Sequence, residues 1–209
     1  MSNLAKDFRK QLQTLSDLGS RQKFSARYTG GDGCFEELPA EAQTKTVTAL
    51  ELYNDILLSC EAQKLDFTNS VQLVKGALKK LRMVLPDDQM ALIDSNDFIE
   101  IYTLDFIAAF KTPNFWGTGS YSLDEVFSYP YDELFERDEF YQAAINRVVQ
   151  KIMTGEQSFI QNPIPTHTAR ERRGSAAAQI SYKYIATVQD PDDGHMVGVI
   201  VVCDLKRVA

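Results

Sequence analysis

The chain has 209 residues, of which 44% are hydrophobic, and it carries a formal net charge of −7. A chain of this length can bury one good core with a small appended subdomain. The longest apolar run, residues 197–203, is too short to span a bilayer, and the N-terminus lacks the apolar stretch of a secretory signal. Three cysteines lie far apart in the sequence, which excludes a disulfide framework. We therefore expect a cytoplasmic protein with reduced thiols and no membrane partner.

The negative charge is concentrated in the middle of the chain. Residues 86–139 carry 13 acidic and two basic side chains. Contacts with nucleic-acid phosphates require Lys and Arg, so this segment argues against a nucleic-acid partner. A solvated acidic surface is the simplest interpretation of the charge.

Three helices are predicted before Pro86. Residues 4–18 and 40–64 place apolar side chains at helical spacing, and Gly19 is expected to end the first helix. In the third helix, residues 68–85, apolar side chains recur three and four positions apart, a pattern that directs one narrow stripe toward a partner helix. The stripe consists of Val71, Val74, Leu78, Leu81 and Leu85. It suits either a homodimer seam or packing within one chain, and both interpretations stay open.

After Pro86 the pattern changes to strands separated by helices. Residues 97–104 and 106–111 alternate or run apolar in the manner of a tight β-hairpin. Ser122 and Glu125 are spaced as a capping box at the start of a short helix, and residues 139–155 form a longer helical pattern. This order predicts two strands followed by a helical middle.

The chain closes with strands predicted at residues 158–164, 181–189 and 196–205. The last strand is almost entirely apolar, as expected of a strand with neighbours on both sides. The basic segment 166–175 is predicted as a loop. Together these patterns predict an α+β protein with an N-terminal helical segment and a five-stranded antiparallel sheet carrying helices on one face. We assign residues 1–86 to a helical dimerisation or linker region and residues 87–209 to the sheet domain.

Two stretches of the sheet domain resemble the PAS fold, a sensor module of bacterial signalling proteins. "DFIEIYTLDFIAAFKTPNFWGTGSYSLDEVF" is similar to the first two strands and first helix of that family, with "YSLDEVF" matching its G-Y-S-x-E-E-L stretch. "ATVQDPDDGHMVGVIVVCDL" resembles its last two strands, with Gly198 and Asp204-Leu205 at the characteristic positions. The resemblance covers about half the chain.

The resemblance implies a non-catalytic sensing or regulatory function. Such modules bind a small molecule between sheet and helices, or bind none and dimerise, and then act on a partner protein. We therefore expect a possible small-molecule ligand, a homodimer, a relay through the N-terminal helices and a separate protein effector. Two alternatives remain: an interaction adaptor that binds no ligand, and a small cone-shaped α+β enzyme whose apolar cavity would hold an Asp-His pair.

No cofactor and no metal are expected. Haem-binding members use a histidine on the long helix, whereas residues 139–155 contain none, and the flavin-binding Cys motif of photoreceptor members is missing. His167 and His195 lie outside that helix and make no ligand spacing for a metal. The purified protein should therefore be colourless.

An aromatic cluster occupies the segment between the two groups of strands. It either fills the space between sheet and helices or lines a pocket for a small apolar or planar ligand, because ligand sites are mostly apolar with a few polar groups. The candidate pocket residues are Phe115, Trp116, Tyr121, Phe127, Tyr131, Phe140 and Tyr141.

Overall fold

The computed structural model describes residues 3–129 and 131–208. The helices of these residues are α1 (Asn3–Gln22), α2 (Ala40–Ala62), α3 (Ser70–Leu81), α4 (Asp87–Met90), α5 (Leu123–Ser128), α6 (Tyr131–Leu134) and α7 (Glu139–Met153). The strands are β1 (Phe98–Thr103), β2 (Ala108–Lys111), β3 (Phe135–Glu136), β4 (Phe159–Gln161), β5 (His167–Glu171), β6 (Ala177–Gln189) and β7 (Met196–Val208). Short 3₁₀ turns lie at Phe35–Glu37 and Pro113–Gly117.

All strands belong to one antiparallel sheet in the order β2-β1-β7-β6-β5-β3, with β4 also pairing with β6. The long final hairpin forms its centre, and the first hairpin joins it through pairing of β1 with β7. Strand β7 therefore has a neighbour on each side, which explains its apolar sequence. The α+β class is confirmed.

The expected number of five strands is wrong, because the described chain contains seven. Residues 166–175, which contain β5 and three arginines, were predicted as a basic loop. In the structure His167 and Ala169 face inward while Thr168 and Arg170 face outward, which is the alternation of a half-buried strand. Strand β3 has only two residues and leaves no periodic signal.

Helices cover both faces of the sheet, which corrects the expectation that they lie on one face. One face, here called the core face, packs against α1, α2 and α3 and includes Ile99, Ile101, Ile200 and Val202. The opposite face, called the outer face, packs against Val148 and Ile152 of α7 through Ile185 and Val199. Successive residues of a strand point to opposite faces, so β1 and β7 contribute to both layers.

The N-terminal helices share a single hydrophobic core with the sheet. Phe8 of α1, Leu50 of α2 and Leu73 of α3 are fully buried in the same cluster as the core-face residues. The main chain of Val84 also bridges to Gln189 at the end of β6. The division of the chain at residue 86 into two functional regions stays a prediction, but the two segments fold against each other.

The first helix continues through Gly19, which was expected to end it. A β-carbon at Gly19 would lie 2.8 Å from the β-carbon of Ala26 and 2.9 Å from the carbonyl oxygen of Phe24. The glycine therefore permits the chain after α1 to fold back closely against the helix. It marks a close approach of backbone rather than a helix end.

The stripe predicted as a possible dimer seam packs inside the chain. Val74 and Leu78 are 0% and 4% exposed, and Leu85 is 8% exposed within the same core. Val71 and Leu81 are partly buried against that core. Helix α3 also ends at Leu81, so Leu85 lies beyond it and the stripe is not continuous. These side chains are occupied by intrachain contacts, and of the two interpretations the structure favours the intrachain one.

Within residues 3–129 and 131–208, every helix is either too short or too polar to cross a membrane.

Candidate functional site

A cavity lies between the outer face near β1 and β2 and the segment that follows β2. We call it the aromatic cavity, and its volume is about 250 Å³. Its walls combine α2, the first hairpin and residues 115–135, and consist of Thr46, Ala49, Glu100, Tyr102, Phe106, Ala108, Lys111, Phe115, Val126, Phe127, Tyr129, Leu134 and Phe135. Apolar and aromatic walls with a few polar groups are typical of small-molecule sites.

Two further cavities adjoin it across Glu100. One, of about 210 Å³, lies under the first half of α7 and is lined by Arg137, Gln142 and Ile145. The other, of about 50 Å³, lies over β5 and β6. Glu100 lines all three cavities, so its carboxylate occupies the centre of this region.

The charged groups of the aromatic cavity are Glu100 and Lys111. They face each other because they are paired residues of the β1–β2 ladder. Their side chains are 12% and 11% exposed, and Lys111 Nζ lies 3.7 Å from Glu100 Oε1. The ammonium group also lies 4.7 Å from the centroid of the Phe115 ring, a favourable cation–π position. Removing an ion pair from water costs several kcal/mol per ion, so placing this pair in a mostly apolar wall destabilises the fold.

The segment covering the cavity is held by hydrogen bonds on both sides. Trp116 Nε1 donates to the Tyr53 hydroxyl at 3.1 Å, and burial raises the pKa of that phenol. The capping box predicted at Ser122 and Glu125 is confirmed and begins α5. The Trp116 bond thereby ties this segment to α2, and the capping box fixes the start of α5 within it.

Glu171 ties the same segment to the turn between β5 and β6. Its carboxylate accepts hydrogen bonds from the Ser120 amide at 2.7 Å, from the Ala176 amide at 2.9 Å and from the Ser120 hydroxyl. A β-carbon at Gly174 would lie 2.0 Å from this carboxylate, so a larger residue there would displace the Glu171 side chain. We call this arrangement the Glu171 latch.

The predicted pocket residues are distributed over several environments. Phe115 and Phe127 line the aromatic cavity. Trp116 and Tyr121 lie behind it around a void of about 10 Å³, and the Tyr121 hydroxyl donates to the Leu134 carbonyl. These four side chains therefore belong to one neighbourhood.

The other three predicted residues lie elsewhere. Phe140 is 61% exposed at the start of α7, and Tyr141 stacks on His167 with ring centroids 4.6 Å apart. The side chain of Tyr131 lies outside the described part of the chain. Phe140 and Tyr141 therefore lie apart from the aromatic cavity, and the place of Tyr131 in a pocket stays a prediction.

Four important cavity residues were missed at the level of sequence, namely Glu100, Tyr102, Phe106 and Lys111. A signal for Lys111 was present. Residues 86–139 contain two basic side chains, Lys111 and Arg137, and both line cavities over the outer face. Cations in an otherwise acidic segment can thus mark an interior polar site.

Neither histidine lines the described cavities. The His167 ring stacks between Tyr141 and Tyr182, with its Nδ1 atom 3.1 Å from the Pro165 carbonyl oxygen. Burial lowers the pKa of His167, and the nearby charge of Arg137 lowers it further. His195 lies exposed in the final turn beside Asp193. The described residues also contain no group of three or more His, Cys, Asp or Glu side chains able to hold a metal.

The comparisons with known proteins provide no family. No family model matches the chain, and no curated protein matches it significantly. Function must therefore be inferred from the site itself.

Proposed function

We propose that the chain is a non-catalytic, PAS-like sensor that binds a small molecule in the aromatic cavity. The observation that carries this proposal is the aromatic cavity itself, where ring-lined walls surround the largely buried pair Glu100 and Lys111. Its position between the sheet and the segment containing α5 is the place where the PAS resemblance implies a ligand. We further propose a cytoplasmic location, consistent with the three free cysteines.

We propose that α2 relays ligand binding from the cavity to the N-terminal helices. Thr46 and Ala49 of this helix line the cavity, while Leu50 and Tyr53 are buried in the core shared with α1 and α3. A ligand that displaces the cavity wall would therefore shift α2 against its neighbours. The relay requires two conformations of the chain that differ in the position of α2, and a ligand that binds one conformation more tightly than the other. A homodimer and a separate protein effector remain part of the proposal. The dimer contact would use a surface other than the α3 stripe.

The cavity also argues against the enzymatic alternative. That alternative requires an Asp-His pair in the cavity, and both histidines lie elsewhere in the described structure.

The test is a thermal-shift screen of metabolites against the native protein and two matched variants. Ala49→Leu places extra volume in the cavity, whereas Ala62→Leu makes the same change at an exposed position of the same helix. A ligand at about 100-fold excess over its dissociation constant stabilises a protein by about 2.7 kcal/mol, which corresponds to about 5–10 °C in a chain of this size. We expect the shift in the native protein and in Ala62→Leu, and its loss in Ala49→Leu. A ligand whose shift survives Ala49→Leu would bind elsewhere and contradict the proposal.

A protein-binding adaptor is the second candidate, and one observation favours it. Leu104 and Phe106 at the tip of the first hairpin are 44% and 59% exposed. Exposed apolar side chains in a cluster often mark an interface. A metabolite screen without any hit, combined with loss of an effector complex on mutation of this tip, would favour the adaptor.

A further inference from the structure

We infer that the ligand of the aromatic cavity is a small zwitterion with an aromatic or large apolar side chain, that is, a molecule of the α-amino acid type. This inference rests on the proposed function, because it specifies the ligand of the same site. The observation behind it is the pairing of one carboxylate and one ammonium within an aromatic wall.

The two charges define the polar half of the ligand. Glu100 and Lys111 are the charged residues of the aromatic cavity, so its lining is neutral overall but strongly dipolar. Within residues 3–129 and 131–208 neither group makes a hydrogen bond, and at 3.7 Å they are too far apart to make one with each other. Charged groups that are largely removed from water and make no hydrogen bond with the protein are costly, and ligand groups can provide a partner for both. A ligand carboxylate binds Lys111 while its ammonium binds Glu100.

The rest of the wall defines the apolar half. Tyr102, Phe115, Phe127, Tyr129 and Phe135 contribute rings, and such rings pair with another ring in stacked or edge-on geometry. The volume of about 250 Å³ is below the usual range for drug-sized ligands. One ring or one branched apolar group fits such a space, and a large cofactor does not.

Phe106 provides the closing group. Its backbone has φ of 56°, a left-handed conformation that is rare for a bulky residue, and its side chain is 59% exposed. It nevertheless lines the aromatic cavity and the neighbouring cavity of about 210 Å³, where it stands at their shared edge. Strained positions persist where surrounding structure enforces them and often occur at ligand clamps. Phe106 packs over the ligand side chain once the polar head is bound.

The experiment uses the fluorescence of Trp116, the one tryptophan of the chain, whose ring lies 5.9 Å from Lys111 Nζ. The full chain is titrated with three probes of the same shape: L-phenylalanine, 3-phenylpropionate and 2-phenylethylamine. We expect L-phenylalanine to bind about tenfold or more tightly than either singly charged probe, because each of those probes leaves Glu100 or Lys111 without a charged ligand group.

Variants of Lys111 and Glu100 then test whether these two residues bind the charged groups of the ligand. Lys111→Met and Glu100→Gln should each weaken L-phenylalanine binding about tenfold or more. Lys111→Arg should retain binding, and Lys206→Met, which changes an exposed lysine, should leave it unchanged. Circular dichroism of each variant verifies folding, and a Lys111→Met protein that does not fold is replaced by Lys111→Gln.

The outcomes separate this inference from the proposed function. If 3-phenylpropionate binds as tightly as L-phenylalanine, the inference of a zwitterionic ligand is wrong, while the cavity remains a ligand site. If no probe binds but a metabolite of another class does, and Ala49→Leu abolishes that binding, the inference is again overturned and the proposed function stands. If L-phenylalanine binds equally to native protein and to both charge variants, the assignment of Glu100 and Lys111 is overturned.

Discussion

Replacing Leu78 with alanine tests whether the α3 stripe stabilises one chain or joins two. Leu78 is 4% exposed and packs in the core formed by α1, α2, α3 and the sheet. A buried Leu→Ala change removes apolar contacts and leaves a cavity, and it costs about 2–5 kcal/mol. Because α3 packs against α2 and β1, which cannot easily close the gap, we expect a loss of about 3 kcal/mol in the free energy of unfolding. In a chain of this size that loss lowers the melting temperature by about 6–12 °C.

The assay is urea denaturation followed by circular dichroism at two protein concentrations that differ about 50-fold. Leu81→Ala on the same helix is the matched control, and we expect a smaller loss because this side chain is only partly buried. If the stripe is intrachain, the midpoints of all variants are independent of protein concentration. A native midpoint that rises with concentration, and loses this dependence in Leu78→Ala, would refute the intrachain packing and restore the dimer seam.

Three other changes probe the site and its surroundings. Phe106→Asn relieves the strain of the left-handed backbone, so we expect urea denaturation to show about 1 kcal/mol of added stability. Fluorescence titration should show weaker ligand binding by this variant. A loss of stability would contradict the backbone strain. Glu171→Gln replaces a carboxylate that accepts three hydrogen bonds, and calorimetry should show a loss of about 1.5–3 kcal/mol in the free energy of unfolding. An unchanged stability would mean that the Glu171 latch does not stabilise the fold. Because burial lowers the pKa of His167, its contribution to the free energy of unfolding is complete above about pH 6.5 and declines as the pH falls below that value. His167→Gln should reduce this decline in stability, while His195→Gln should not. Equal slopes of stability against pH in both variants would contradict the assignment.

The sheet was predictable where its residues alternate or run apolar. The final hairpin and the first hairpin have this pattern, and their positions agree with the structure to within a few residues. Strand β5 was not predictable in the same way, because Arg170 and its charged neighbours conceal an alternation whose inward members are His167 and Ala169. Local sequence also carries no information about which helices cover which face, since that depends on long-range packing.

The candidate site was predictable only in part, for a related reason. Aromatic residues cluster in sequence, so Phe115 and Phe127 were found. Lys111 and Glu100 are 11 positions apart and meet only because the β1–β2 ladder pairs them. Phe106 gave no signal because a strained backbone angle is a property of the folded turn. Cavity walls contributed by separate elements therefore need the fold before they can be identified.

The central claim is that a small molecule occupies the aromatic cavity, and hydrogen exchange tests it most directly. Backbone amides of the native protein are compared with and without the first ligand found in the metabolite screen, and again in Ala49→Leu. The account predicts slower exchange in β1, β2 and residues 113–128, which form the cavity walls, and no change in Ala49→Leu. Slower exchange confined to α7 and β4, or equal protection in Ala49→Leu, would show that the ligand binds elsewhere and would contradict the claim.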